Sequence, residues 1–308
     1  MNEVLTSAVQ SVPAGPWAIG VSGGADSVAL LTLLNTRPDL SLHIVHLNHQ
    51  TRSQQNTQDA LFVTELANRL RLPIVIDDRS HLEGGQQGLP RNPSARYRAL
   101  RLALFRRVVL EQKLNGVLLA HHADDQAETI LHRLIRRSHF SGLAGMSART
   151  VIGGLLCVRP LLKVRRQTLR QWLAERNLPW REDPSNQSFD YLRNCLRILL
   201  ANDPALSEAL LELGEACSGL NRWVESARLR PGPLLEVNAI ADQPAILSRA
   251  TARNWLKDTG VWPAKIEPAT IDRLLAMCLD ASTASRAQFP GGVTLARRRG
   301  KIEKISIT

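Results

Sequence analysis

The sequence predicts an α/β fold, a doubly wound and mainly parallel sheet followed by a second, mainly helical domain. Three observations carry the prediction. Apolar runs of strand length alternate with helical stretches through residues 1–200, as in a parallel sheet covered by helices on both faces. The first run breaks at two adjacent glycines and passes directly into a helical stretch, which places a binding crevice at the carboxyl ends of the strands. Beyond residue 200, apolar positions recur mostly at helical spacing.

In chain order, Trp17, Ala18, Ile19 and Val21 form the first strand, which ends at Ser22-Gly23-Gly24; Ala25, Asp26 and Ser27 lead into a helix over 26–35. Paired glycines allow backbone conformations that a β-carbon forbids, so amides can converge in one hollow at a helix N-terminus. Such a hollow attracts phosphate, with the Ser22 and Ser27 hydroxyls as further donors. A tight βα turn with a serine cap is the plain alternative. Asp26 argues against it, because a carboxylate beside phosphate needs a cation between them, and Mg²⁺ bridging to a polyphosphate supplies one. No Lys follows the glycines, so this is not a Walker-type loop, and the dinucleotide fingerprint lacks its third glycine.

Residues 42–49 read as a buried strand ending at His49, with Arg52 beyond; a helix over 54–71 and a strand over 73–77 follow. Residues 81–92, rich in glycine and proline, read as a loop, and 94–113 as a helix carrying Arg96, Arg98, Arg101, Arg106 and Arg107. Most of these face solvent on this reading, and Arg96, next to Tyr97 at the helix start, is the one placed to point back to the strand ends. A strand over 116–120 then delivers His121, His122, Asp124, Asp125 and Glu128 at its carboxyl end. Asp125 and Glu128 share a helical face. They either form a capping box or bring a second carboxylate to the cation at Asp26. The two histidines could ligate a metal, but they read first as neutral hydrogen-bonding groups in a strand-end pocket. A last strand over 155–162, an amphipathic helix over 165–177 with Leu169, Trp172 and Leu173 inward, a loop bracketed by Pro179 and Pro184, and a basic helix over 191–200 complete the first domain, 1–200. Asn202-Asp203-Pro204 reads as a linker into the second domain, 201–308, with helices over 206–229, 244–257 and 268–278 and strands over 293–296 and 301–306.

Composition narrows the class. Cys157, Cys195, Cys217 and Cys278 are widely spaced with no C-x-x-C pair, which fits a reducing cytoplasm and argues against a zinc knuckle or dithiol site. No apolar run is long enough for a bilayer, and no signal peptide is evident, so no membrane partner is expected. The formal net charge is +11, with +9 in residues 1–200 and +2 in residues 201–308. That excess favours a polyanionic partner, and 33 of the 39 basic residues are Arg, which suits bidentate phosphate contacts.

The Ser-Gly-Gly-x-Asp-Ser pattern of residues 22–27 resembles the pyrophosphate loop of the ATP pyrophosphatase family, which cleaves ATP between the α and β phosphates. Further blocks narrow the resemblance: HHADDQAETILHRLIRR from His121, GLAGM at 142–146, RPLL at 159–162, EDPSN at 182–186 and RNCLR at 193–197 together look like the tRNA(Ile)-lysidine synthetase family. The resemblance spans residues 17–200. It implies that ATP adenylates the C2 carbonyl oxygen of the wobble cytidine in tRNA(Ile) with a CAU anticodon, and that L-lysine then displaces AMP. It also implies that Ser22, Gly23, Gly24, Ala25, Asp26 and Ser27 hold the ATP phosphates, that Asp26 and Asp125 bind Mg²⁺, and that Arg96 and Arg197 are functional arginines. A mainly helical C-terminal domain would grip the tRNA, and a homodimer stays open.

The chain departs from the family at Pro93, where many relatives carry Arg, and at Arg137 and His139, where the family has glycines of a Gly-Ser-Gly turn. Two rival readings make different demands. A tRNA thiolase needs an active-site cysteine or cluster ligands, and a non-catalytic nucleotide-gated RNA-binding module predicts loss of a metal carboxylate. Lysine attacks only as the free amine, so a carboxylate near the strand ends should take its proton, and Glu128 is the expected acceptor.

Overall fold

The computed structural model describes residues 3–49, 53–85, 88–182 and 192–305. Arg52, residues 183–186 of the EDPSN block, Pro184 within it, Tyr191 and Ser306 lie outside these. The chain divides into two compact units, 1–215 and 216–308.

In the first unit, strand β1 (Gly15–Gly20) is central because its side chains find apolar partners on both faces. Trp17 and Ile19 enter one core and Ala18 the other. On β2 (Leu40–Asn48), Leu42 and Ile44 join the first core and Val45 and Leu47 the second, the two-residue alternation of a strand covered on both sides. With β3 (Ile74–Asp78), β4 (Val117–Leu118), β5 (Arg149–Ile152) and β6 (Leu155–Val158), the sheet runs β3-β2-β1-β4-β6-β5. All pairings are parallel except β5 with β6. Strand order reverses between β1 and β4, which opens a crevice at their carboxyl ends.

Helices α1 (Glu3–Gln10), α2 (Ala25–Leu34) and α3 (Ser53–Leu70) contribute to the first core. Helix α2 is apolar nearly all round, as burial demands, and eight of its residues are buried. The second core rests on Leu82 of α4 (Arg79–Gly84) and on Leu100, Leu104, Phe105 and Val108 of α5 (Pro93–Glu111). Pro93 occupies the first turn of α5, where its missing amide costs nothing, and the Asn92 side chain caps the helix by accepting from the Ala95 amide. Helix α6 (Ala123–Ile135), the short α7 (Phe140–Leu143), α8 (Arg166–Ala174) and α9 (Leu192–Asn202) complete the unit together with the start of α10 (Pro204–Ala227). Leu169, Trp172 and Leu173 of α8 are buried as the sequence predicts.

Some expectations differ from the structure. The loop over 81–92 is shorter, because Leu82 is buried and α4 forms around it. The strand over 155–162 stops at Val158 and pairs with β5 through Gly153 and Gly154, both at positive φ, a tight hairpin turn. The division at 200/201 falls instead at 215/216. The reason is packing: Leu206, Leu210 and Leu211 of α10 join Ala127, Ile130 and Leu200 in a cluster of the first unit, and Asn202 and Pro204 merely separate two helices.

The second unit holds the rest of α10, α11 (Val237–Ala241), α12 (Ala245–Asp258) and α13 (Pro268–Leu279). An antiparallel sheet runs β7 (Leu235–Glu236), β10 (Lys301–Ile305), β9 (Val293–Arg298), β8 (Arg286–Phe289) in that order. Its core includes Trp255, Leu274, Met277, Leu295 and Ile302. Four strands stand where the sequence predicts two, since β7 and β8 are too short to show a period by themselves.

Candidate active site

A cleft of about 480 Å³ opens at the carboxyl ends of β1, β2 and β4. The turn after β1 forms one wall. Gly23 has φ +90°, a value that favours glycine, and its carbonyl accepts from the Arg181 amide at 2.9 Å. Gly24 is the N-cap of α2, with no side-chain cap. The serine cap of the plain alternative is therefore absent: Ser27 Oγ donates to the Gly24 carbonyl at 2.9 Å and lies 3.2 Å from Ser22 Oγ. An uncapped helix start facing a cleft suits an anion. Ser22, Gly24, Ala25, Asp26 and Ser27 all line it.

The strand-end residues of β4 and the first turn of α6 supply the opposite wall. His122 is the N-cap of α6 and forms a capping box with Asp125: the His122 amide donates to Asp125 Oδ2 at 3.1 Å, and the Asp125 amide to His122 Nδ1 at 3.3 Å. His122 Nε2 lies 3.5 Å from both Asp26 Oδ2 and Asp125 Oδ2, so the two carboxylates expected to share a cation converge on one imidazole nitrogen. The capping box thus pairs Asp125 with His122 and leaves out Glu128, with Asp125 also beside Asp26 at the imidazole.

The electrostatics follow from this crowding. Burial by itself pushes the His122 imidazole down, but its contacts with Asp124 and Asp26, and the nearby charge of Asp125, raise it to about 9. The neutral role expected for His122 is corrected accordingly: the three nearby carboxylates of Asp26, Asp124 and Asp125 outweigh desolvation. A proton on Nδ1 serves Asp124 Oδ2 at 3.4 Å, whereas its absence serves the Asp125 amide, so the charge state of the ring selects between them. Burial pushes Asp124 up, yet His122, the Arg166 amide and Arg165 hold it at about 2. For Asp26 burial again acts upward, and His122, Arg166 and Arg170 bring it below the usual carboxylate range. His49, also lining the cleft, is pushed down to about 4 by burial and then by Arg101, His46 and Arg79, so it is neutral.

Asp26 Oδ1 is buried and accepts no hydrogen bond; Arg166 Nε stands 3.7 Å away. An ionised, incompletely satisfied carboxylate close to a second one fits a divalent cation. Among the described residues there is no group of three or more His, Cys, Asp and Glu that could hold a metal without other ligands. Mg²⁺ in nucleotide sites takes one or two carboxylates and completes its shell with phosphate oxygens and water, so Asp26 and Asp125 match that demand.

Glu128 and Arg197 meet across 69 residues of sequence: Arg197 Nε donates to Glu128 Oε1 at 2.8 Å, with the carboxylate side chain 4% exposed. Arg197 lines the cleft. Arg96 does not. It donates from Nε to Glu83 Oε1 at 2.8 Å, so the first turn of α5 ties it to α4 instead of turning it to the strand ends. Sequence reading passed over Arg166, Arg170 and Arg181, all of which line the cleft. Their signal was there: Arg166 and Arg170 lie four apart, on one side of α8, flanking the stripe of three buried apolar residues.

The sequence matches the PP-loop domain family over residues 1–203. The chain belongs to the PP-loop family. The PP-loop match covers the whole sheet of the first unit and every cleft residue named above. Curated relatives include the tRNA(Ile)-lysidine synthases of Rhodopirellula baltica, 35% identical over 68% of this chain and 60% of that protein, and of Thermus thermophilus, 34% identical over 94% of this chain and 56% of that protein. The chain therefore spans little more than half the length of these relatives. Among solved structures, the U34-tRNA thiolase NcsA from Methanococcus maripaludis with its [4Fe-4S] cluster aligns with a TM-score of 0.57 over 70% of this chain and 77% of that one, at 18% identity, a likeness of fold alone.

The departure at Arg137 has a local explanation. The residue ends α6 in the left-handed region at φ +54°, its amide donating to the Leu134 carbonyl and that of Ser138 to the Arg133 carbonyl. This is the helix-ending motif in which glycine is favoured. Arg137→Gly is expected to raise stability by about 0.5–1 kcal/mol, the left-handed cost net of glycine's backbone entropy. An unchanged or lower midpoint of urea unfolding would contradict this.

Proposed function

We propose that this chain is an ATP-dependent tRNA-modifying enzyme that forms lysidine at the wobble cytidine of tRNA(Ile) with a CAU anticodon. The observation that carries the proposal is the convergence of Asp26 and Asp125 on His122 Nε2, beside the uncapped start of α2, with Arg197 in the same cleft. Similarity to lysidine synthases supports the choice of substrate.

On this reading the 22–27 turn and the start of α2 bind the triphosphate. Mg²⁺, held by Asp26 and Asp125, supplies charge neutralisation on the phosphates. The cytidine O2 attacks the α-phosphorus, the bond to the β-phosphate oxygen breaks, and pyrophosphate leaves. The lysine amine then attacks C2, loses a proton, and AMP departs with the oxygen. Arg197, Arg166 and Arg170 are positioned to stabilise negative charge as it shifts from the α-phosphate to the leaving group. Glu128 holds Arg197 in place through a charged pair, a positioning role in place of the proton transfer first expected of it. Arg96, tied to Glu83, is assigned no contact with the reacting atoms. The second unit is assigned to holding the remainder of the tRNA.

Three of the four cysteines argue against sulfur transfer. Cys157, Cys217 and Cys278 are buried, burial pushes the Cys157 thiol up, and burial takes Cys278 to about 11, so neither of these two is a ready thiolate. No helix among the described residues is long and apolar enough to cross a membrane.

The test is purified protein with ATP, labelled lysine and unmodified CAU-anticodon tRNA. Label in the tRNA with release of both AMP and pyrophosphate is expected, and ATP turnover without lysine incorporation would sink the reading. Binding of tRNA should also weaken steeply with salt. Neutralising about six phosphates gives a loss of two to four orders of magnitude in affinity between about 50 and 200 mM salt. A dissociation constant independent of salt would refute phosphate-dominated binding.

A further inference from the structure

Arg137 and His139, which replace the expected glycines, do not line the cleft. They belong to a knuckle on the surface where α6 ends and α7 begins. Arg136, Arg137 and His139 are exposed there, as are Leu134 and Ile135 at 44% and 54%. Phe140 is half-buried, with the His139 ring against it at 4.1 Å between centroids. Neither the Arg136 nor the Arg137 guanidinium forms an ion pair with a described residue.

The knuckle is held firmly. Arg133 Nη1 donates to the carbonyls of Gly142 and Gly145 at 2.6 and 2.7 Å, and His139 caps α7. Two guanidiniums without ion pairs beside the exposed His139 ring and the half-buried Phe140 ring form a surface with two kinds of grip. The arginines match phosphates, while ring faces accept unstacked bases. RNA supplies both in one strand, phosphates for the cations and bases for the rings, and it fits the excess positive charge of residues 1–200. Arg136 lies on the helix that starts in the cleft, eleven residues after Asp125, so about 17 Å of helix separates the two. A folded RNA loop with one base in the cleft can span that distance.

We infer that the α6–α7 knuckle is an RNA-contact surface, where Arg136 and Arg137 bind phosphates flanking the target nucleotide and the His139–Phe140 pair receives an unstacked base. This rests on the reading that the substrate is an RNA loop. It adds a contact that the family's glycines, lacking side chains, do not provide.

The test combines Arg136→Ala with Arg137→Gly, the second of which favours the fold at that position. Removing two single-strand phosphate contacts should lower the slope of log affinity against log salt by about 1.4 and raise the tRNA dissociation constant about tenfold near 0.1 M salt. ATP affinity should stay at the wild-type value. Phe140→Ala should weaken binding about fivefold or more with no change in slope, as loss of stacking does. Wild-type affinity and slope in the double variant would overturn the inference. So would loss of poly-glutamate binding equal to the loss of tRNA binding, since it indicates a general polyanion surface suited to acidic proteins. If the wild-type protein itself binds no tRNA, the RNA-substrate reading fails first. Lysine transfer by wild type beside an unaffected double variant removes the knuckle alone.

Discussion

Asp26→Asn is expected to lower pyrophosphate release by at least about a thousandfold, a loss of roughly 4 kcal/mol of transition-state stabilisation. The carboxylate is held ionised in a buried position, its Oδ1 accepts no hydrogen bond, and it faces the start of α2 where the triphosphate is proposed to sit. Asparagine has nearly the same shape but carries no charge for Mg²⁺. The fold should survive, because Asp26 packs in no structural pair apart from His122 and Arg166, and His122 keeps Asp124 and Asp125. The measurements are pyrophosphate release and thermal unfolding on the same preparation. A folded variant with wild-type turnover removes the metal role.

Glu128→Gln is expected to slow adenylation and lysine transfer together, by about a hundredfold each, on the scale of losing a preorganised electrostatic group. Its carboxylate accepts from Arg197 at 2.8 Å and is almost wholly buried, which suits it to holding that guanidinium in place. With the carboxylate gone, Arg197 stays in the cleft with its main anchor neutralised. Stability should drop by about 2–3 kcal/mol, below the range for a fully buried pair because Arg197 keeps some solvent contact. Single-turnover measurement of pyrophosphate release and lysine incorporation separates the roles. Normal release with slow incorporation and an accumulating adenylate would return Glu128 to the task of accepting the lysine proton. Glu128→Asp, which keeps the charge but shortens the reach, should recover part of both steps if positioning is its role.

Much of the site was legible in the sequence because its parts are local. A strand broken at Gly23-Gly24 and followed by Asp26 announces a phosphate turn from spacing alone, and the strand-helix alternation fixes which ends of the strands face the ligand. Asp125 followed the same logic at the end of the fourth strand. Arg166 and Arg170 were overlooked for a different reason. The apolar face of α8 accounted for the whole pattern, leaving the other face to look like ordinary solvated surface.

The sequence by itself determined the parallel sheet, the turn chemistry and the residues that carry charge, since these depend on neighbours within a few positions. The tertiary structure decided how those charges pair. Arg96 turned to Glu83, thirteen residues away, while Arg197 found Glu128 across the first unit. His122 is raised toward its protonated form by Asp124 beside it and by Asp26, which reaches it from the first turn of α2 nearly a hundred positions earlier. Coulomb and hydrogen-bond energies depend on distance in space and on local burial, and neither can be read from separation along the chain.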